Sequence, residues 1–272
     1  MPEKSDYRLL DRPEILRVLF YPRPDYALTM NNRYTASLMV PVAPDVAIQI
    51  QAHIYSPAAP TILFFHGNGE IASDYQEIAP FFTGRGLNLM VADYRGYGNS
   101  SGLPSVSAMM ADALEIYDYV RKWLLENSFT GRLLVMGRSL GSASALEIAA
   151  RHGAEIDGLI IESGFAYLGP LLRLLGVEME LLNLTEEQGF NNIAKIKEVT
   201  GPTLIIHAQY DQIISFREGE ALYAACPAKN KRLLRISGAN HNNIFIAGMT
   251  EYMAAIVKLA ATGRDSRTGD GA

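Results

Sequence analysis

Short apolar runs separated by longer amphipathic stretches set the rhythm of this chain from Arg33 onward. "RYTASLMVPV" and "VAIQIQAHIYS" alternate apolar and polar residues on either side of Ala43-Pro44-Asp45, the pattern of an antiparallel hairpin with one covered face. The later runs have a different character. "TILFF", "LNLMVAD", "RLLVMG", "GLIIES", "TLIIHAQ" and "RLLRIS" are apolar through their centres, as strands are when helices cover both faces of a parallel sheet. Between them lie the helical stretches "IASDYQEIAPFFTGRG", "SVSAMMADALEIYDYVRKWLLEN", "LGSASALEIAARHG" and "FREGEALYAAC", and "NNIFIAGMTEYMAAIVKLAAT" follows the last strand. Ser105 stands where it can cap the second of these. Two leading strands and six core strands with helical crossovers predict an eight-stranded, doubly wound α/β sandwich. Ligands of such sheets bind beyond the carboxyl ends of the strands.

One interval breaks the rhythm. Residues 165–200, "FAYLGPLLRLLGVEMELLNLTEEQGFNNIAKIKEVT", exceed an ordinary crossover and are rich in leucine. The reading favoured here is a small lid of one or two helices beside the site; a plain crossover helix with a long loop is the alternative. Leu171, Leu172, Leu174, Leu175, Leu181, Leu182 and Leu184 would then face inward, partly toward the site and partly onto the sheet. Residues 1–32 read as an N-terminal arm, with a short helix near Pro13–Phe20, and 33–262 as the folded domain. The small, polar residues 263–272 read as a flexible tail.

Composition narrows the function classes. Of 272 residues, 49% are hydrophobic and 19% charged, and the formal net charge is −5. No basic surplus is present to grip phosphates, so no nucleic-acid partner is expected. The single cysteine, Cys226, cannot form an internal disulfide and reads as a structural, half-buried thiol. No signal peptide and no uninterrupted apolar run long enough to span a bilayer is visible, and the expected location is cytoplasmic. Neither a metal-binding cluster nor a nucleotide loop stands out, so no cofactor is expected. Oligomeric state is not legible.

The chemistry concentrates at Gly137-Arg138-Ser139-Leu140-Gly141, which fits G-x-S-x-G between a strand and a helix. Such a turn lifts a serine hydroxyl clear of the sheet, and its neighbours must be small. A serine needs a base to become a nucleophile. Of five histidines, His53 falls on the leading hairpin, His152 ends the helix after Ser139, and His207 sits inside a strand as a core residue would. His66 belongs to a glycine-rich turn. His241, in "RISGANHNN", follows the last strand at the sheet edge where Ser139 also lies, and is the candidate base. Asp211, in "HAQYDQII", is the candidate acid, with Glu162 on the preceding strand as its rival. The order Ser139, Asp211, His241 is the order of this strand–turn–helix arrangement. For the oxyanion, Leu140 supplies one backbone N–H, and His66-Gly67-Asn68-Gly69 offers a second at Asn68.

Over roughly residues 45–260 the chain resembles a serine-type α/β-hydrolase. "FFHGNGE", "DYRGYGNSSG", "GRSLGS", "YDQII" and "GANHNN" are similar to the single-domain branch that includes the eukaryotic α/β-hydrolase-domain depalmitoylases and bacterial esterase-like proteins. The resemblance implies an α/β-hydrolase fold, to which the interval 165–200 would add the small helical lid, with a triad of Ser139, Asp211 and His241 and an oxyanion hole at Asn68 and Leu140. It places the loop from Asp93 to Gly98 beside the pocket. The expected activity is hydrolysis of a small-molecule carboxylic ester or thioester through an acyl-enzyme. A peptidase or amidase with the same triad, or a non-catalytic binding protein of the same fold, are the alternatives.

Overall fold

The computed structural model describes residues 6–26 and 34–262. The tail at 263–272 and parts of the arm, 1–5 and 27–32, lie outside the described residues. Eight strands form one sheet in the order β1-β2-β4-β3-β5-β6-β7-β8. β1 (Thr35–Ala43) and β2 (Val46–His53) make the expected antiparallel hairpin, and Asp45 at its turn has φ 59°. β2 also runs antiparallel to β4 (Asn88–Ala92). The remaining strands, β3 (Thr61–Phe65), β5 (Leu133–Arg138), β6 (Gly158–Glu162), β7 (Thr203–Ala208) and β8 (Lys231–Ile236), pair parallel with their neighbours and with β4.

The apolar runs of β3 to β7 are explained by cover on both faces; β8 departs from the expectation, since at the sheet edge its Arg232 and Arg235 are exposed. In β3, Leu63 and Phe65 pack with α1 (Pro13–Leu19), α3 (Val106–Glu126) and α4 (Gly141–His152), while Ile62 and Phe64 pack with α2 (Ala79–Thr83) and α8 (Ile244–Ala261). Ser105 caps α3, its Oγ accepting from the Ala108 N–H at 3.1 Å. α8 is long and apolar enough to cross a bilayer by length and composition, but it lies against β6, β7 and β8 as a core helix of the sheet. Cys226, at the end of α7 (Phe216–Ala225), is fully rather than half buried.

Two stretches depart from expectation. Residues 71–86 form a 3-10 turn, Ala72–Gln76, and the five-residue α2 instead of one helix. Pro80 has no N–H to offer the turn before it, and the Asp74 carboxylate caps the Ile71 N–H at 3.0 Å, so the segment closes and restarts. The interval 165–200 holds α5 (Leu168–Leu174), 3-10 turns at Met179–Leu182 and Glu186–Gln188, and α6 (Asn192–Lys197). Its leucines do not all turn inward. Leu172 and Leu184 are buried, whereas Leu174 and Leu181 are 55% and 82% exposed. Around α5, Leu171 and Leu172 take the inner side, Leu175 at its end is 37% exposed, and Leu174 falls at the outer edge of the stripe.

Candidate active site

The carboxyl ends of β3, β5, β6, β7 and β8 converge on one edge of the sheet, and every residue singled out for chemistry is carried there. Ser139 is the first residue past β5 and has φ 52°, a left-handed conformation that costs a non-glycine residue about 1 kcal/mol or more. The flanking glycines are required by space. A Cβ on Gly137 would lie 2.2 Å from the Gly141 carbonyl oxygen, and one on Gly141 2.2 Å from that of Phe65. The tight turn thus depends on both, and it leaves Ser139 Oγ exposed to the cavity at the start of α4.

His241 Nε2 is 3.2 Å from Ser139 Oγ, and His241 Nδ1 is 2.7 Å from Asp211 Oδ2. The other Asp211 oxygen accepts the N–H groups of Ile213 and Ile214 at 3.0 and 2.8 Å. Burial works against ionisation of this carboxyl, but the His241 hydrogen bond and charge and the Ile214 N–H prevail and hold it below the usual carboxylate range. His207, buried in β7 as expected of a core histidine, stands 3.7 Å from Asp211 Oδ2, and its Nε2 is 2.8 Å from the Ile214 carbonyl oxygen. Burial lowers its pKa, so it packs beside the acid as a neutral ring whose Nε2–H goes to the Ile214 carbonyl.

Glu162 does not reach His241. Its Oε1 accepts from Arg138 Nη1 at 2.8 Å and its Oε2 from the Tyr252 hydroxyl at 2.6 Å. Of the two candidate acids, only Asp211 is brought to the imidazole.

Asn68 and Leu140 meet across the mouth of the turn as walls of the pocket that also holds Ser139 and His241. Among the described residues no acceptor meets either backbone N–H. The Asn68 side chain is clamped: its Oδ1 accepts from the Tyr97 hydroxyl at 2.8 Å and from the Tyr21 N–H at 2.7 Å. No residue of the loop from Asp93 to Gly98 lines this pocket; the loop instead braces the turn that does. Tyr94 donates to the His66 carbonyl at 2.6 Å, and Asp93 Oδ1 lies 3.2 Å from His66 Nε2.

The pocket has a volume of about 210 Å3. Leu171 and Leu175 of the interval 165–200 line it, as do Ile213 and, from α1, Val18 and Leu19. The part of α1 in this wall carries no motif and could not be read from the sequence. The chain just after α1 straps the same loop, with Arg23 Nε donating to the Gly69 carbonyl at 2.8 Å and its guanidinium paired with Asp74. A larger cleft of about 1100 Å3 at the His53 end of β2, lined also by Tyr55, Gln76 and Pro80, contains none of these groups. No cluster of metal-ligating side chains occurs among the described residues.

Residues 56–193 match the family described as Serine aminopeptidase, S33. The chain belongs to this family of α/β hydrolases. It is 31% identical over 210 residues to the alpha/beta hydrolase domain-containing protein 17B of Xenopus laevis, across 74% of this chain and 66% of that protein. Against protein 17C of Mus musculus it is 33% identical over 189 residues, 68% of this chain and 55% of the relative. The chain thus spans between about half and two thirds of the length of these relatives. Among solved structures, an esterase of Pyrococcus furiosus superposes with a TM-score of 0.68 at 17% identity, covering 88% of this chain and 98% of that one. The ferulic acid complex of Est1E from Butyrivibrio proteoclasticus gives 0.69 at 18% identity, covering 82% and 99%. At such identities the likeness is one of fold. The eight-stranded, mostly parallel sheet flanked by helices is the α/β-hydrolase fold.

Proposed function

We propose that this hydrolase cleaves carboxylic esters or thioesters through an acyl-enzyme on Ser139. The observation that carries the reading is the unbroken chain from Ser139 Oγ through His241 to Asp211, opening on a pocket with aliphatic walls. In the first step Ser139 Oγ attacks the substrate carbonyl while His241 Nε2 takes its proton. Asp211 fixes the tautomer that keeps Nε2 free and stabilises the imidazolium. The N–H groups of Asn68 and Leu140 receive the oxyanion. His241 then protonates the leaving alcohol or thiol. Water, deprotonated by the same nitrogen, attacks the acyl-enzyme and releases the acid and the free serine.

The family description includes peptidases, and the pocket speaks against an aminopeptidase role. A substrate ammonium needs a carboxylate free to meet it. Glu70, the acid in the pocket wall, already accepts from Arg138, Tyr75 and the Gly67 N–H. Leucine, valine and isoleucine side chains suit an acyl chain instead. A pocket of about 210 Å3 has room for a short-to-medium chain. Each methylene buried contributes about 0.8 kcal/mol, so two change kcat/KM by about tenfold.

The test is a series of nitrophenyl esters and matched thioesters and anilides of increasing acyl length. The reading requires hydrolysis of the esters or thioesters, faster for medium chains than for acetyl and falling once the pocket is full. Cleavage of the anilides alone would replace it with the amidase reading.

A further inference from the structure

Arg138 occupies the variable position before the nucleophile, and nothing in the G-x-S-x-G pattern asks for an arginine there. Its side chain is 10% exposed, yet it carries a full guanidinium into the floor of the pocket. Three of its N–H groups go to three different segments. Nε donates to Glu70 Oε1 at 2.9 Å, in the loop after β3. Nη1 donates to Glu162 Oε1 at 2.8 Å, its parallel cross-strand neighbour on β6. Nη2 donates to the backbone carbonyl of His241 at 3.0 Å, in the loop after β8. The partners are in turn fixed. Glu70 Oε2 accepts the Gly67 N–H at 2.7 Å, one residue before Asn68, and the Tyr75 hydroxyl at 2.7 Å. Glu162 takes the Tyr252 hydroxyl from α8, and its backbone carbonyl receives the Ser139 N–H at 2.9 Å.

We propose that Arg138 is a positioning residue that sets the spacing between Ser139, the His241 loop and the Asn68 loop through its hydrogen bonds to the His241 carbonyl, Glu70 and Glu162. The inference rests on the serine hydrolase reading of the same site. Two features separate it from other uses of a buried arginine. The guanidinium has two carboxylates against one positive charge, so it is not left over for an anionic substrate group. And two of its three contacts lead to residues next to or within the proposed machinery, the His241 backbone itself and, through Glu70, the N–H preceding Asn68. A planar fork with donors in fixed directions can span such acceptors, whereas an ammonium offers its donors from a single point. Burial disfavours the Arg138 charge, but Glu162 and Glu70 outweigh it and the group stays protonated. Loops that must hold a donor and a base to within about 0.5 Å of their working geometry need such a tie, since a misplacement of about 1 Å can cost about a hundredfold in rate.

The experiment compares the wild-type enzyme with Arg138→Lys and Glu70→Gln, assayed well below the melting temperature of each variant after circular dichroism has verified the fold. Lysine keeps the positive charge between the two carboxylates but cannot reach all three segments. The proposal requires kcat to fall by about ten- to a hundredfold in Arg138→Lys with KM within about twofold. Inhibition by an alkyl boronic acid, which mimics the tetrahedral intermediate on Ser139, must weaken by a comparable factor. Glu70→Gln must shift both quantities the same way by a smaller factor, and the double variant must lose less than the product of the single losses. Wild-type kcat and boronate affinity in folded Arg138→Lys, with only its melting temperature lowered, would make Arg138 a structural ion pair and overturn the proposal. A raised KM at unchanged kcat would make it a substrate contact and overturn it equally. If Arg138→Lys fails to fold, Glu70→Gln decides by the same readouts. The rate of reaction with a fluorophosphonate separates the two levels: no labelling of the wild-type protein removes the serine reading and the positioning role with it, whereas labelling of wild type and variants at the same rate removes the positioning role alone.

Discussion

Asp211 and Glu162 stand at the ends of adjacent parallel strands, β7 and β6, yet their carboxylates face different partners. Asp211 takes the imidazole of His241 at 2.7 Å, and Glu162 takes the guanidinium of Arg138 at 2.8 Å. The two acids are therefore separable by mutation. Asp211→Asn leaves an amide that can hold the wrong imidazole tautomer. Its kcat on the best ester is expected to fall by about a thousandfold or more, with a fold that circular dichroism cannot distinguish from wild type. Glu162→Gln keeps an acceptor for Tyr252 and loses the charge opposite Arg138, so it is expected to lower the melting temperature and to cost far less in kcat. Reversed effects would move the acid to Glu162.

Acyl selectivity should follow the side chains that line the pocket. Leu171→Ala and Leu175→Ala are expected to flatten the preference for medium over acetyl esters by about tenfold, at nearly constant acetyl turnover. Val18→Ala should act in the same direction from the opposite wall. Leu174→Ala, at a position 55% exposed, should leave the chain-length profile unchanged. Profiles of kcat/KM against acyl length check all four.

Clamping of the Asn68 side chain predicts a loss confined to the chemical step. Tyr97→Phe deletes the hydroxyl that donates to Asn68 Oδ1 at 2.8 Å. Its kcat is expected to fall severalfold to about tenfold with KM little changed, because the Asn68 N–H is held less firmly where the oxyanion forms. A rise in KM with kcat unchanged would show that the clamp serves substrate binding instead.

Acid stability should carry the signature of Glu70. Burial would raise this carboxyl, but the charges of Arg138 and His66 and the Tyr75 hydroxyl bring it from 4.5 to about 2. A carboxyl depressed by folding stabilises the native state above its unfolded pKa, and that stability is lost as pH falls toward the folded pKa. The melting temperature of the wild-type enzyme should therefore decline between about pH 5 and pH 2. Glu70→Gln should be less stable at pH 7 but lose less across that interval. Parallel slopes in the two proteins would mean that other carboxylates carry the acid response.

Strand character was legible because β3 to β7 are buried on both faces and a five- or six-residue apolar run between glycines and helices has few other uses; β8, at the sheet edge, was legible from its apolar centre alone, with Arg232 and Arg235 exposed. The placement of Ser139, Asp211 and His241 at one sheet edge was legible for the same reason, since each follows a recognisable strand. Arg138 was not. Its partners lie 68, 24 and 103 residues away in the chain, and no local pattern connects them. Val18 and Leu19 fall in the short helix expected near Pro13–Phe20, and only the packing of α1 over the sheet edge turns them into a pocket wall. The expectation that the leucines of 165–200 all face inward, toward the site or onto the sheet, fails because composition does not report phase. Breaking that segment into α5, two 3-10 turns and α6 sends Leu174 and Leu181 to solvent while Leu171 and Leu175 reach the pocket.

An activated serine can be observed directly. The protein is treated with a fluorophosphonate, digested, and mapped by mass spectrometry, alongside Ser139→Ala and a sample unfolded before treatment. The account predicts one phosphonate per molecule of native protein, located on Ser139 within "GRSLGS", and none in Ser139→Ala or in the unfolded chain. An unlabelled native protein, or a label on another residue that persists in Ser139→Ala, would contradict it.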